Sequence, residues 1–90
     1  MRLDKYLKVS RIIKRRTVAN EACSGGRVQL NGKVAKPGAD VQAGDILEIR
    51  FGNRVGKYEV TQVLDHVRKG EAENMYKVIA EDETVAKERG

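Results

Sequence analysis

Ninety residues with 34% charged and 40% hydrophobic side chains, one Phe, three Tyr and no Trp, allow one small aliphatic core and no deep substrate pocket, which argues against a self-contained enzyme. A lone cysteine, Cys23, excludes an internal disulfide, no spaced Cys/His set matches a zinc site, and no apolar run approaches the roughly 18 to 20 residues that cross a bilayer. The formal charge of +5 is divided unevenly: residues 1 to 36 carry ten basic and two acidic groups, a net +8, whereas residues 37 to 90 carry eight and eleven, a net −3. Such an oriented field draws one end of the molecule toward polyanions, so nucleic acid is the leading partner and a reducing, cytoplasmic setting is expected, with no membrane.

Leu3, Tyr6, Leu7 and Ile13 recur at helical steps, which predicts a first helix over residues 3 to 14. On it Asp4, Lys8, Arg11 and Arg15 share a second face, with Asp4 expected to orient Lys8 at the i, i+4 spacing or to stabilise the helix N-terminus. Tyr6 is expected to pack its ring inward and leave its hydroxyl exposed. Thr17 reads as the N-cap of a second, short helix whose inward stripe is Val18, Ala19, Ala22 and Cys23, ended by Ser24-Gly25-Gly26. Arg27-Val28-Gln29-Leu30 then alternates, Asn31-Gly32 is a tight-hairpin signal, and Lys33-Val34-Ala35 resumes extended character. Lys36-Pro37-Gly38 breaks the chain before a strand at Ile46–Phe51. A reversal over residues 52 to 56 leads to a strand at Lys57–Val63, His66–Asn74 reads as loop, and Met75–Ile79 completes the sheet. Residues 1 to 80 are expected to form one domain and the charged residues 81 to 90 a flexible acidic tail. Two helices followed by strands indicate an α+β fold.

Lys8, Arg11 and Arg15, extended by Arg2, Lys5, Lys14 and Arg16, make a candidate phosphate-contact array, with Lys33 and Lys36 beside the hairpin as secondary contacts. Arginine forks grip phosphate bidentately and lysine supplies a movable point charge. On an A-form helix, whose major-groove edges are hidden, such an array would read shape and backbone more than sequence. Cys23 reads as core filler and His66 as an isolated loop residue. Gly25 and Gly26 lack the downstream Gly-Lys-Ser/Thr of a phosphate loop. No catalytic, cofactor or metal set emerges.

Arg2-Leu3-Asp4-Lys5-Tyr6-Leu7, then Arg11, Lys14, Arg16, Ala19, Gly26, Val28, Asn31-Gly32, Lys36-Pro37, Val41 and Gly44-Asp45, in that order, resemble the RNA-binding domain named after small-subunit ribosomal protein S-four. The resemblance covers about residues 1 to 50. It implies an αL RNA-binding motif, two short helices packed on a small bent antiparallel sheet with the basic helical side toward structured RNA. The stand-alone form, with no catalytic domain attached, is most similar to the bacterial ribosome-associated quality-control factors of the RqcP family, relatives of heat-shock protein fifteen. The acidic terminus, in place of that relative's long basic tail, favours the quality-control form. That resemblance implies an adaptor that contacts large-subunit rRNA and tRNA on large subunits obstructed by peptidyl-tRNA, and that supports a tailing partner in adding C-terminal alanines to the stalled chain; the chain itself is expected to be a monomer. A heat-shock-type recycling factor, and a protein-interaction module that uses an acidic sheet and tail, are the alternatives.

Overall fold

Asn31 and Gly32 adopt φ of 53° and 85°, the mirror-image turn whose twist matches that of two paired strands and which a glycine at the second position makes accessible. The hairpin they close, β1 (Val28–Leu30) and β2 (Lys33–Val34), pairs Gln29 with Val34 and Leu30 with Lys33. In the computed structural model, which describes residues 1–68 and 70–82, helices α1 (Leu3–Val9) and α2 (Arg16–Ser24) precede this hairpin. Strands β3 (Ile46–Phe51), β4 (Arg54–Val60) and β5 (Tyr76–Asp82) follow it. The sheet is antiparallel throughout, in the order β2-β1-β3-β4-β5. This is the expected α+β architecture of two short helices on an antiparallel sheet.

Directly opposed residues share a face of a sheet. Val28 lies opposite Ile49, Leu30 opposite Leu47, Leu47 opposite Tyr58 and Val60 opposite Tyr76, so one face is apolar from β1 to β5. Against it pack Leu3, Tyr6 and Leu7 of α1 and Ala19, Ala22 and Cys23 of α2, joined by Ile13, Val41 and Met75. Gly56 belongs to this face, and a Cβ there would come within 2.8 Å of the Tyr58 ring carbons, so the ring lies where only glycine leaves room. Lys57 pairs with Ala80 and Tyr58 with Val78, which makes Ile79 the extra residue of a β-bulge.

Several boundaries differ from the periodicity reading. The first helix stops at Val9 rather than near residue 14. The Ser10 hydroxyl donates to the Leu7 carbonyl at 3.2 Å, and Arg11 turns left-handed at φ 65° while its N–H donates to the Lys8 carbonyl at 3.1 Å. That left-handed position is usually taken by glycine, and an arginine there carries no sequence signal of a helix end. Consequently Arg11 and Arg15 do not continue a column over Asp4 and Lys8. The second helix begins at Arg16, with Arg15 in extended conformation as its N-cap and no side-chain cap, so Thr17 lies inside the first turn. Val18 is 44% exposed and leaves the inward stripe. Strand β4 starts at Arg54 because the reversal needs only Gly52 and Asn53, and it ends at Val60, where the Thr61 and Gln62 amides turn to the Met75 carbonyl. A short 3-10 turn, Ala72–Met75, stands at the end of the expected loop. The backbone of Glu81 and Asp82 pairs with Gly56 and Val55, and the remainder of the expected tail lies outside the described residues. The Tyr6 hydroxyl is buried, not exposed, and donates to the Met75 carbonyl at 2.8 Å.

Candidate nucleic-acid interface

The first amides of a helix have no partner within it. In α1, Leu3 N–H donates to the Ala39 carbonyl at 2.8 Å and Asp4 N–H to the Pro37 carbonyl at 3.1 Å, while Val41 N–H donates to the Met1 carbonyl at 2.9 Å. These bonds stitch the amino terminus to the loop after the hairpin and fix Asp4 beneath Arg2. The Asp4 carboxylate accepts from Arg2 Nε at 3.2 Å, Arg16 Nη2 at 3.4 Å, Asn20 Nδ2 at 3.3 Å and the Lys5 amide at 2.8 Å. Its side chain is 3% exposed, against 55% for Arg2 and 49% for Arg16. One sunken carboxylate therefore holds two solvent-facing guanidinium groups from different elements in a fixed mutual position.

Burial raises the Asp4 pKa, but the hydrogen bonds from Arg2, Asn20 and Arg16 together outweigh it and hold the carboxyl below the usual carboxylate range. Asp4 is thus ionised at neutral pH and bonded to Arg2 and Arg16. The i, i+4 partnership with Lys8 expected from periodicity is replaced by these contacts, because α2 crosses beside the start of α1. Asn20 is a member of the cluster that sequence reasoning missed. Sixteen residues separate it from Asp4, and no spacing rule links them.

The remaining candidates fall into two groups. Arg2 shares a shallow concavity with Asn20, Lys33 and Lys36 under the loop of Pro37 and Gly38, which joins the hairpin cations to the Asp4 cluster. Lys8, Arg11 and Lys14 line a second concavity with Asp65, His66 and Val67. Lys5 reaches this second group through an exposed ion pair to Asp65 at 3.3 Å, a contact worth little by itself. His66, isolated in sequence, thus stands among cations in space. Arg15 is exposed where the two helices meet. Arg27, counted among the ten cations of the amino-terminal segment, instead lines a different concavity with Glu48 and Arg50.

Among the described residues no group of three His, Cys, Asp or Glu side chains is placed to hold a metal ion. None of their helices is long and apolar enough to cross a membrane. Cys23 is buried, and burial followed by the nearby charge of Asp4 pushes its thiol up to about 11, the behaviour of a core side chain rather than of a nucleophile.

The S4 domain model matches residues 1–47. An RQC P-site tRNA stabilizing factor of Halalkalibacterium halodurans is 55% identical over 82 residues, covering 91% of this chain and 93% of its own. A factor of the same name from Bacillus subtilis is 49% identical over 82 residues, covering 91% and 95%. The solved structure of Vibrio cholerae heat shock protein 15 matches with a TM-score of 0.81 and 33% identity, over 99% of this chain and 90% of that one. The chain belongs to the S4 domain family and, within it, to the RQC P-site tRNA stabilizing factors.

Proposed function

We propose that this chain is a non-catalytic, cytoplasmic RNA-binding adaptor of ribosome-associated quality control. It acts as a monomer that grips tRNA and large-subunit rRNA on large subunits still obstructed by peptidyl-tRNA. The observation that carries the reading is the Asp4 cluster, in which a buried carboxylate positions Arg2 and Arg16 for a phosphate backbone. Two half-exposed guanidinium groups with a fixed separation select a spacing between phosphates, where free lysines would only raise local charge. Lys33 and Lys36 extend this grip on one side, and Lys5, Lys8, Arg11, Lys14 and Arg15 offer a second track for the same or a neighbouring RNA. The names of the relatives support a P-site tRNA as one ligand.

In this reading, stabilising the tRNA leaves the chemistry to others. A separate tailing factor adds C-terminal alanines to the stalled chain while the adaptor keeps the tRNA in place. The reading of the sheet as an acidic protein-docking face is less well supported. On the face away from the core, Glu48 lies opposite Lys57 and Glu59 opposite Lys77, so charge is balanced there. The likeness to heat shock protein 15 keeps ribosome recycling as the second reading.

Co-sedimentation with peptidyl-tRNA-obstructed large subunits tests the proposal. Arg2→Ala and Arg16→Ala are expected to weaken association at least about tenfold while the thermal melt stays cooperative. Each variant is also expected to lower the slope of log affinity against log salt by about one. Wild-type association in both variants would overturn the assignment.

A further inference from the structure

The chain has four aromatic residues, one Phe and three Tyr. Tyr6 is sealed in the core. The other three, Phe51, Tyr58 and Tyr76, converge on a single concavity of about 380 Å³, bounded by the segment that follows α1. Tyr58 is 6% exposed and forms the floor, its ring meeting that of Tyr76 edge to face at 5.5 Å and 86°. Phe51 and Tyr76 are half-buried. Arg11, Arg54 and Val78 complete its lining, and Val78 is 48% exposed.

Arg11 also lines the basic concavity of Lys8 and Lys14, so one guanidinium borders both hollows. Its backbone is held at φ 65° in a position that glycine would occupy without steric cost. That left-handed turn ends α1 and sets the arginine between the cationic track and the aromatic hollow.

We infer that the hollow binds an unpaired base of an RNA whose phosphates run along Lys8, Arg11 and Lys14. The base stacks on Phe51 and Tyr76, while Arg11 covers it or holds its flanking phosphate. Every base has a π-face, so aromatic rings and arginine planes accept a flipped-out nucleotide with little regard to its identity. Arg11, which the hollow shares with the cationic track, favours a nucleotide within RNA over an apolar peptide. This inference rests on the RNA-binding reading above and adds residues of β3, β4 and β5 to it.

The test uses the full chain and two RNA hairpins with the same stem, one fully paired and one carrying a single bulged 2-aminopurine. The wild-type protein is expected to bind the bulged hairpin at least about fivefold more tightly and to quench its fluorescence. Phe51→Leu and Tyr76→Leu retain apolar volume but remove the stacking face. They are expected to abolish the preference and the quenching, with affinity for the paired hairpin nearly unchanged and the thermal melt of the protein still cooperative. Arg16→Ala should weaken both hairpins alike. Equal wild-type affinity for the two hairpins, or quenching that survives in the Phe51→Leu/Tyr76→Leu double variant, overturns the base site, and a persisting Arg16→Ala effect would then leave the RNA-binding reading standing. No Arg16→Ala effect on either hairpin counts instead against that reading. Displacement of the bulged hairpin by AMP at equal concentration would reassign the hollow to free nucleotides and overturn the inference as stated.

Discussion

The Tyr6 hydroxyl in α1 donates to the backbone carbonyl of Met75, 69 residues away, at 2.8 Å. The same carbonyl accepts from the amides of Thr61 and Gln62 at 2.9 and 3.2 Å. One oxygen thus ties the first helix to both the end of β4 and the start of β5. Burial raises the pKa of the Tyr6 phenol, with a smaller contribution from Tyr76, so the group remains a donor throughout the ordinary pH range.

Tyr6→Phe isolates that bond without opening a cavity. Because the Met75 carbonyl keeps two backbone donors, the loss belongs at the lower end for a buried hydrogen bond, about 0.5–1.5 kcal/mol. For a domain of this size each kcal/mol lowers the melting temperature by roughly 4–8 °C. Calorimetry of the variant checks the value, and RNA affinity should stay at the wild-type level. A loss above about 3 kcal/mol would mean that the hydroxyl holds more than this one carbonyl.

Asp4→Ala separates charge from positioning. Removing a negative charge beside two arginines would strengthen RNA binding if only net charge mattered. If the carboxylate positions Arg2 and Arg16, binding weakens, and we expect a loss comparable to that of Arg16→Ala. Both arginines are half exposed and can rehydrate, so the stability cost is about 1–3 kcal/mol rather than that of stranding a buried charge. Titration against a structured RNA decides, and tighter binding by Asp4→Ala would refute the positioning role.

The lowered pKa of Asp4 also gives a pH dependence of definite sign. The folded state keeps the carboxylate, whereas the unfolded chain takes up a proton near the ordinary aspartate value of 3.8, so protonation favours unfolding. The stabilisation is complete above that value and is lost as pH falls through the lower folded-state value. Urea midpoints measured from about pH 6 down to about pH 2.5 should fall further for the wild type than for Asp4→Asn. Parallel curves would remove Asp4 from the account of acid sensitivity.

Cys23 behaves in the opposite sense. Its thiol is pushed up to about 11 from the ordinary value of 9.0, so the folded state retains the proton where the unfolded chain ionises. Stability should decline between those two values, and at pH 8 the native thiol should resist iodoacetamide while the urea-unfolded chain reacts. Rapid alkylation of the native protein would show that the site opens locally.

Much of the fold is legible in local sequence. Asn31-Gly32 names its own turn because only residues that tolerate positive φ fit there, and Leu3, Tyr6 and Leu7 name the inner face of α1 because helical periodicity places them together. Ile46–Phe51 appears as a strand in both sequence and structure. The end of α1 is not legible, since Arg11 takes a glycine-like conformation without being glycine. The beginning of α2 is hidden for a related reason: Thr17 resembles a cap, but the chain turns into the helix two residues earlier, at Arg15.

The sequence by itself determined that a strongly basic amino-terminal segment would be carried on two short helices beside a hairpin, because charge content, periodicity and turn chemistry are properties of neighbouring residues. Only the tertiary structure decided which cations act together. Asp4 meets Arg16 and Asn20 because α2 crosses the start of α1, and Phe51, Tyr58 and Tyr76 meet because strand register brings three separate segments to one face. Such contacts depend on the packing of a shared core, a collective property that no short window of sequence contains.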